Sequence, residues 1–202
     1  MRQGARNSSP HTAHLPIVSM PPKTPAALVV SVAMGYGHLR AAWPLADRLG
    51  VSVSRADRPP LAGHREALLW DTARRAYEAL SRLSQTAPAS RVFGPVLDGL
   101  TAIDPYGADG EALRIDGASR TLARWIDRGL GRRLGRRLDA DKASLVTTFY
   151  APALAAERHS RARVFCVVTD SDVHRVWAPA DGRRSRIHYL VPEAATAMRL
   201  TS

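Results

Sequence analysis

Residues 26–43, ALVVSVAMGYGHLRAAWP, constrain this chain more than any other segment. An apolar run with Val29, Val30 and Val32 stops at Gly35-Tyr36-Gly37-His38, and helix-forming residues follow. A short, continuous, β-branched run predicts a strand buried on both faces, as in a parallel sheet. Glycine at its exit lets the backbone turn sharply and lets a ligand come close. The helix beyond points unpaired N–H groups back at the turn, which favours an anion or a polar oxygen there. His38 lies at that junction, and an unperturbed imidazole, with a pKa of about 6.5, exchanges protons near neutral pH. The same residues also read as a plain tight connection, and a short Gly-x-Gly does not choose between the two readings.

The alternation continues along the chain. Leu39 to Gly50 predicts a helix closed by Gly50, with a kink or restart at Pro44. Val51 to Asp57 alternates like a strand, PPLAG is a loop, and His64 to Thr86 is a long helix. Leu68, Leu69, Thr72, Ala76, Leu80 and Leu83 mark that helix's inner face. Arg91 to Leu100 reads as a short helix interrupted by Pro95, and Ile103 to Gly110 as a loop. Leu113 to Leu138 reads as an irregular helix with Leu122, Ile126, Leu130 and Leu134 on one side. Gly129, Gly131 and Gly135 each weaken it by about 1 kcal/mol relative to alanine. Further strands are expected at Ser144 to Tyr150, Arg163 to Asp170 and Arg186 to Pro192. PALAAERH and EAATAMRL supply the helices that follow the first and last of these. This order predicts an α/β, Rossmann-like three-layer fold with a mostly parallel sheet.

With 202 residues, 45% of them hydrophobic, the chain suits one domain with a real core. Residues 1–25 are rich in Pro, Ser and Thr and are expected to form a disordered leader, leaving 26–202 as the domain. The leader has no continuous apolar core, so it does not read as a signal peptide. No apolar run approaches the ~20 residues needed to span a bilayer. Cys166, the single cysteine, lies in an apolar run and reads as a buried small hydrophobe, suited to a reducing cytoplasm. The net charge of +11 suits an anionic partner such as nucleic acid, phospholipid or a phosphorylated substrate. Lys23 and Lys142 are the only lysines, and such an arginine skew also follows from a GC-rich coding sequence. A nucleic-acid reading draws on Arg132, Arg133, Arg136 and Arg137, but no nucleic-acid motif is present and aromatics make up only 6%.

In a parallel sheet, ligands bind at the carboxyl ends of the strands. Three such ends carry suggestive residues: Gly35 to His38, Thr147 to Tyr150, and Thr169 to His174 followed by Trp177. All three are expected on one rim. The first is no Walker A loop, and Arg40 stands where a dinucleotide fingerprint would have its third glycine. Asp170 reads equally as a site residue or a turn cap, and Asp172 as solvated. Asp170 and His174 lack a third ligand at a suggestive spacing, so no metal is expected. His11, His14 and His159 read as surface or leader residues, His64 as a helix opener and His188 as structural.

Four blocks resemble one family. VVSVAMGYGHLRAAWPLAD looks like the strand, GGGH turn and Ala-rich helix that open the monogalactosyldiacylglycerol synthase family and its bacterial diacylglycerol glucosyltransferase relatives. VTTFYAPALAA resembles the family's strand ending in S/T-T-H-P, with Phe149-Tyr150 where that motif has His-Pro. CVVTDSDVHRVWAP resembles its V-V-T-D…H-x-x-W block, matching at Thr169, Asp170, His174 and Trp177. IHYLVPEAATAMRL resembles the strand leading to its V-P-S-E helix. The resemblance implies the N-terminal, acceptor-binding half of a GT-B glycosyltransferase, which moves a hexose from a nucleotide sugar to a lipid or other hydroxyl. The donor-binding half is expected to be absent from these residues, which then read as a fragment, one half of a split gene partnered by a separate donor domain, or a truncated relative, and turnover is expected to need that half. No cofactor beyond the donor sugar nucleotide is implied. His38 and Asp170 are the implied catalytic residues. Gly35, Tyr36, Gly37, Thr148, His174 and Trp177 are the implied acceptor-binding residues. Arg124, Trp125, Arg128 and Arg132 are expected to rest on anionic lipid at the inner face of a cytoplasmic membrane, or else to form a solvated helix face. The alternatives are a non-catalytic Rossmann-like binding module and a basic nucleic-acid-binding protein.

Overall fold

The computed structural model describes residues 27–84, 117–170, 173, 175–179 and 181–201. The expected leader, the helix at Arg91 to Leu100, the loop at Ile103 to Gly110, and Asp172 and His174 lie outside the described residues.

Five strands form one sheet: β1 (Ala27–Ser31), β2 (Val53–Arg55), β3 (Ser144–Thr147), β4 (Val164–Val167) and β5 (Ile187–Leu190). Their order is β2-β1-β3-β4-β5, and every pairing is parallel. Val30 pairs with Ser54 on one side and Thr147 on the other. The fold is thus the α/β, Rossmann-like three-layer arrangement. Its strands are shorter than the apolar runs that announce them, because the chain leaves the ladder as soon as it turns toward the rim.

Alternate side chains of a strand face opposite ways, and β1 feeds two cores. Val29 packs with Ala42 and Ala46 of α1 (Tyr36–Leu49). Leu28 and Val30 join Leu145, Val164 and Cys166 beneath the other helices. Those helices are α2 (His64–Ser84), α3 (Gly117–Asp127), α4 (Arg132–Asp141) and α5 (Tyr150–His159). A last helix, α6 (Ala194–Thr201), follows β5, and two short 3₁₀ turns, Arg175–Trp177 and Gly182–Arg184, bridge β4 to β5. Burying a valine fully, as at Val29, Val30 and Val32, stabilises by about 1.5–3 kcal/mol.

Three expectations are refined. First, of the kink or restart expected at Pro44 the restart does not occur: α1 runs as one element through Pro44, which sits on the helix's exposed side. There water can satisfy the Arg40 carbonyl that a proline cannot bond. Second, the inner face of α2 is rotated. Leu68 is 67% exposed and Thr72 and Ala76 are exposed, while Leu69 and Trp70 pack on the core. On the same turn the Glu66 carboxylate accepts from Gly131 N at 2.8 Å and Gly63 N at 3.4 Å, tying α2 to the chain between α3 and α4. Third, the long irregular helix is two helices. Gly129 (φ +115°) and Gly131 (φ +75°) take backbone conformations closed to most side chains, so the chain breaks between α3 and α4. Leu122, Ile126, Leu130 and Leu134 stay buried on either side of the break.

Gly131 also permits contact, since a β-carbon there would lie 2.4 Å from that of Ala155 on α5. Gly131→Ala therefore combines overpacking with a left-handed strain, and we expect a loss of about 2–4 kcal/mol in urea unfolding. Gly117→Ala meets no atom within 4 Å and is expected to stay within about 0.5 kcal/mol of wild type.

Candidate functional site

Chain connections leave β1 for β2 on one side, while β3 flanks it on the other. The order therefore reverses between β1 and β3, and such a switch point opens a crevice at the carboxyl ends of the strands. Ser31 ends β1, Thr148 and Phe149 follow β3, and Thr169 and Asp170 follow β4. His38 is the third residue of α1, which Gly35 starts with a φ of +128°. A hydroxyl relay ties these ends together. The Thr148 hydroxyl donates to the His38 carbonyl at 2.7 Å. Its proton being committed, it accepts from the Ser31 hydroxyl at 3.1 Å. Ser31 and Thr148 are fully buried, where an unmade hydrogen bond costs about 1–3 kcal/mol.

The His38 side chain, only 9% exposed, lies against this relay. Its Nδ1 is 2.6 Å from the Thr169 hydroxyl oxygen. Phe149 meets the imidazole edge-on with ring centroids 4.8 Å apart, and Trp177 stands at 6.2 Å. Burial holds the imidazole below its ordinary 6.5, and the Asp170 carboxylate and a hydrogen bond to the Thr148 main chain pull it part of the way back. His38 is therefore a neutral imidazole at neutral pH, able to accept a proton.

The sequence-derived site residues fall into three groups. His38, Thr148, Asp170 and Trp177 come together at the rim, with Gly35 and Gly37 in the exposed turn beside them. Tyr36 is 70% exposed and has the Arg40 guanidinium 5.9 Å from its ring centre. Arg124, Arg128 and Arg132 are exposed, but Trp125 packs against the core, so only the arginines present a surface. His159 is not a surface residue. It is half-buried, and its Nε2 meets the Ile126 carbonyl at 2.9 Å, joining α5 to α3. His188 is exposed and stacks on Phe165. Cys166 is buried, and burial pushes its thiol far up, which leaves it inert.

Sequence reasoning named Thr169 at the rim without pairing it to His38, and it missed the parts played by Ser31 and Trp70. A serine inside VVSV was a readable signal, because a buried hydroxyl needs a partner. Trp70 carries a buried indole N–H with no hydrogen-bond partner among the described residues, and its ring centroid lies 6.4 Å from that of Phe149. Among the described residues no three His, Cys, Asp or Glu side chains gather as a metal site. No described helix is long and apolar enough to cross a membrane.

Fold and site together define a doubly wound α/β protein with a buried, neutral histidine at its switch point. No protein-family model, no curated protein and no solved structure matches the chain.

The depressed His38 pKa links stability to pH. The unfolded chain binds this proton more readily than the folded one, so stability is highest above 6.5 and falls as pH drops from there toward the folded value. We expect the unfolding free energy of wild type to fall across that window more steeply than that of His38→Gln, measured by urea titration at stepped pH.

Proposed function

We propose that the chain is the acceptor-side half of a GT-B glycosyltransferase that moves a hexose from a nucleotide sugar to a hydroxyl of a lipid acceptor, with His38 as the base. The observation that carries this reading is the buried imidazole of His38 in the switch-point crevice, its Nδ1 2.6 Å from the Thr169 hydroxyl oxygen. In this reading Nδ1 carries the ring's proton toward the Thr169 hydroxyl and the Thr148 main chain, and Nε2 is the nitrogen offered to the acceptor. Nε2 takes the proton of the attacking hydroxyl as its oxygen bonds to the anomeric carbon. The bond from that carbon to the phosphate oxygen breaks, and its electron pair leaves with the nucleoside diphosphate. Asp170, close enough to favour the charged ring, steadies the imidazolium that forms. Phe149 and Trp177 wall the imidazole with apolar surface, which lowers the local dielectric and strengthens that interaction.

The four blocks that resemble the monogalactosyldiacylglycerol synthase family supply the reaction class and the lipid acceptor. In that reading the sugar nucleotide is a substrate held by a donor-binding half outside this chain. The exposed Arg124, Arg128 and Arg132 support peripheral contact with an anionic leaflet, each adding about 1 kcal/mol near such a surface.

The test uses extracts of cells expressing the full chain, supplied with a labelled nucleotide hexose and diacylglycerol vesicles. Wild type is expected to form labelled glycolipid above the empty-vector level. His38→Gln is expected to lower that rate by about 10²–10⁴-fold, and His188→Gln, far from the crevice on an exposed strand position, to keep it within about twofold. Turnover by His38→Gln equal to wild type overturns the assignment of the base, and no product from wild type overturns the reaction.

A further inference from the structure

A cleft of about 410 Å³ opens between α3, α5 and the turn that follows β4. This is within the size range of small-molecule sites. Its apolar walls come from Leu122 and Ile126 of α3, Leu154 of α5, and Val176, Ala178 and Pro179 of the turn. Leu154, Val176, Ala178 and Pro179 are only half-buried, so apolar surface remains there for a ligand to cover. The same turn carries Trp177, which walls His38, so a ligand resting on Val176 and Ala178 borders the crevice.

The charged groups of the cleft differ in what they have left to offer. The Asp127 carboxylate pairs with Arg158 at 3.0 Å. The Glu157 carboxylate accepts from the Ser185 hydroxyl at 2.9 Å and from the Arg186 main-chain N–H. Arg175 donates to the Ala178 and Pro179 carbonyls at 2.9 and 3.1 Å, which braces the turn. Arg120 makes no ion pair or hydrogen bond among the described residues. Arg120 and Asp127 stand close to two helical turns apart on one face of α3, which separates them by about 10 Å along its axis. The cleft therefore has an uncommitted cation toward one end, a paired one toward the other, and apolar surface between.

These features select a ligand. An ammonium is repelled by Arg120. A small inorganic anion leaves the apolar walls bare, and a wholly apolar molecule leaves the guanidinium without a partner. A phosphate monoester brings about −1.5 to −2 charges near neutral pH, more than one guanidinium matches, into a cleft that also holds two carboxylates. A single apolar chain ending in one carboxylate covers the walls and meets the guanidinium fork with matching geometry. We infer that this cleft binds a single-chain amphiphile ending in a carboxylate, the chemistry of a free fatty acid, with its chain along Leu122, Ile126 and Leu154 and its carboxylate on Arg120. The inference stands apart from the proposed glycosyl transfer and involves neither His38 nor a donor sugar.

The full chain is titrated with octanoate, hexanoate, octan-1-ol and inorganic phosphate in turn, each as a monomer in solution. The readout is the pair of amide resonances of Ala123 and Ala178, which both line the cleft, in heteronuclear NMR spectra. Octanoate is expected to shift both saturably with a Kd of the order of 1 mM. Hexanoate has two fewer methylenes to bury and is expected to bind about tenfold more weakly. Arg120→Gln, at an exposed position and checked for an unchanged circular dichroism spectrum, is expected to weaken octanoate about fivefold and to leave octan-1-ol unchanged, the loss of one solvent-exposed ion pair. A flat response to octanoate overturns the inference, and so does equal affinity for hexanoate, which would mean that the chain is not buried. Octanoate binding that Arg120→Gln leaves intact, or phosphate shifting the same amides with the affinity of octanoate, overturns it as well. No outcome of this titration bears on the transfer reaction, so the two readings fail separately.

Discussion

The rim of this molecule depends on one buried relay, in which Ser31 donates to Thr148 and Thr148 donates to the His38 carbonyl. Strands β1 and β3 pair through their backbones, but that ladder says nothing about where α1 begins. The relay fixes the first turn of α1 against the end of β3, and with it the direction of the imidazole. All three residues are buried, so no link can be traded for water without leaving a polar group unpaired. A hydroxyl pair inside a valine-rich strand end is poor packing material. Its presence is explained by what it positions.

The same burial sets the chemistry. Removing the imidazole from water disfavours its charged form, while Asp170 and the Thr148 main chain favour it. Burial wins, and the ring stays neutral. The proximity of the carboxylate ensures that the cost of charging the ring is moderate, which suits a group that must gain a proton and release it. The aromatic wall of Phe149, Tyr150 and Trp177 continues from this ring toward α5, and Trp70 adjoins it through Phe149.

Much of the fold was legible because its signals are local. The continuous valines of β1 and the glycine that caps α1 require only near neighbours to interpret, and so do the apolar spacings of α3 and α4. The failures were non-local. Periodicity placed Leu68, Leu69, Thr72 and Ala76 inward, but of these only Leu69 packs on the core, joined by Trp70, on a helix whose Glu66 bonds Gly131, 65 residues away in sequence. Glycines read as weak points in one helix are a break, because Gly129 and Gly131 take positive φ and a β-carbon at Gly131 would collide with Ala155 of α5. His38 and Asp170 were legible as rim residues from the strand-end rule. Thr169 was named at the rim as well, but its bond to His38, across 131 residues, follows from no spacing rule.

The central claim is that the crevice keeps His38 neutral and holds it in one orientation through Nδ1. Heteronuclear NMR of the imidazole through a pH titration measures both properties at once. The account predicts a midpoint below 6.5 and, above it, a single tautomer protonated at Nδ1. A midpoint at or above 6.5, with the two tautomers in rapid exchange, would contradict it.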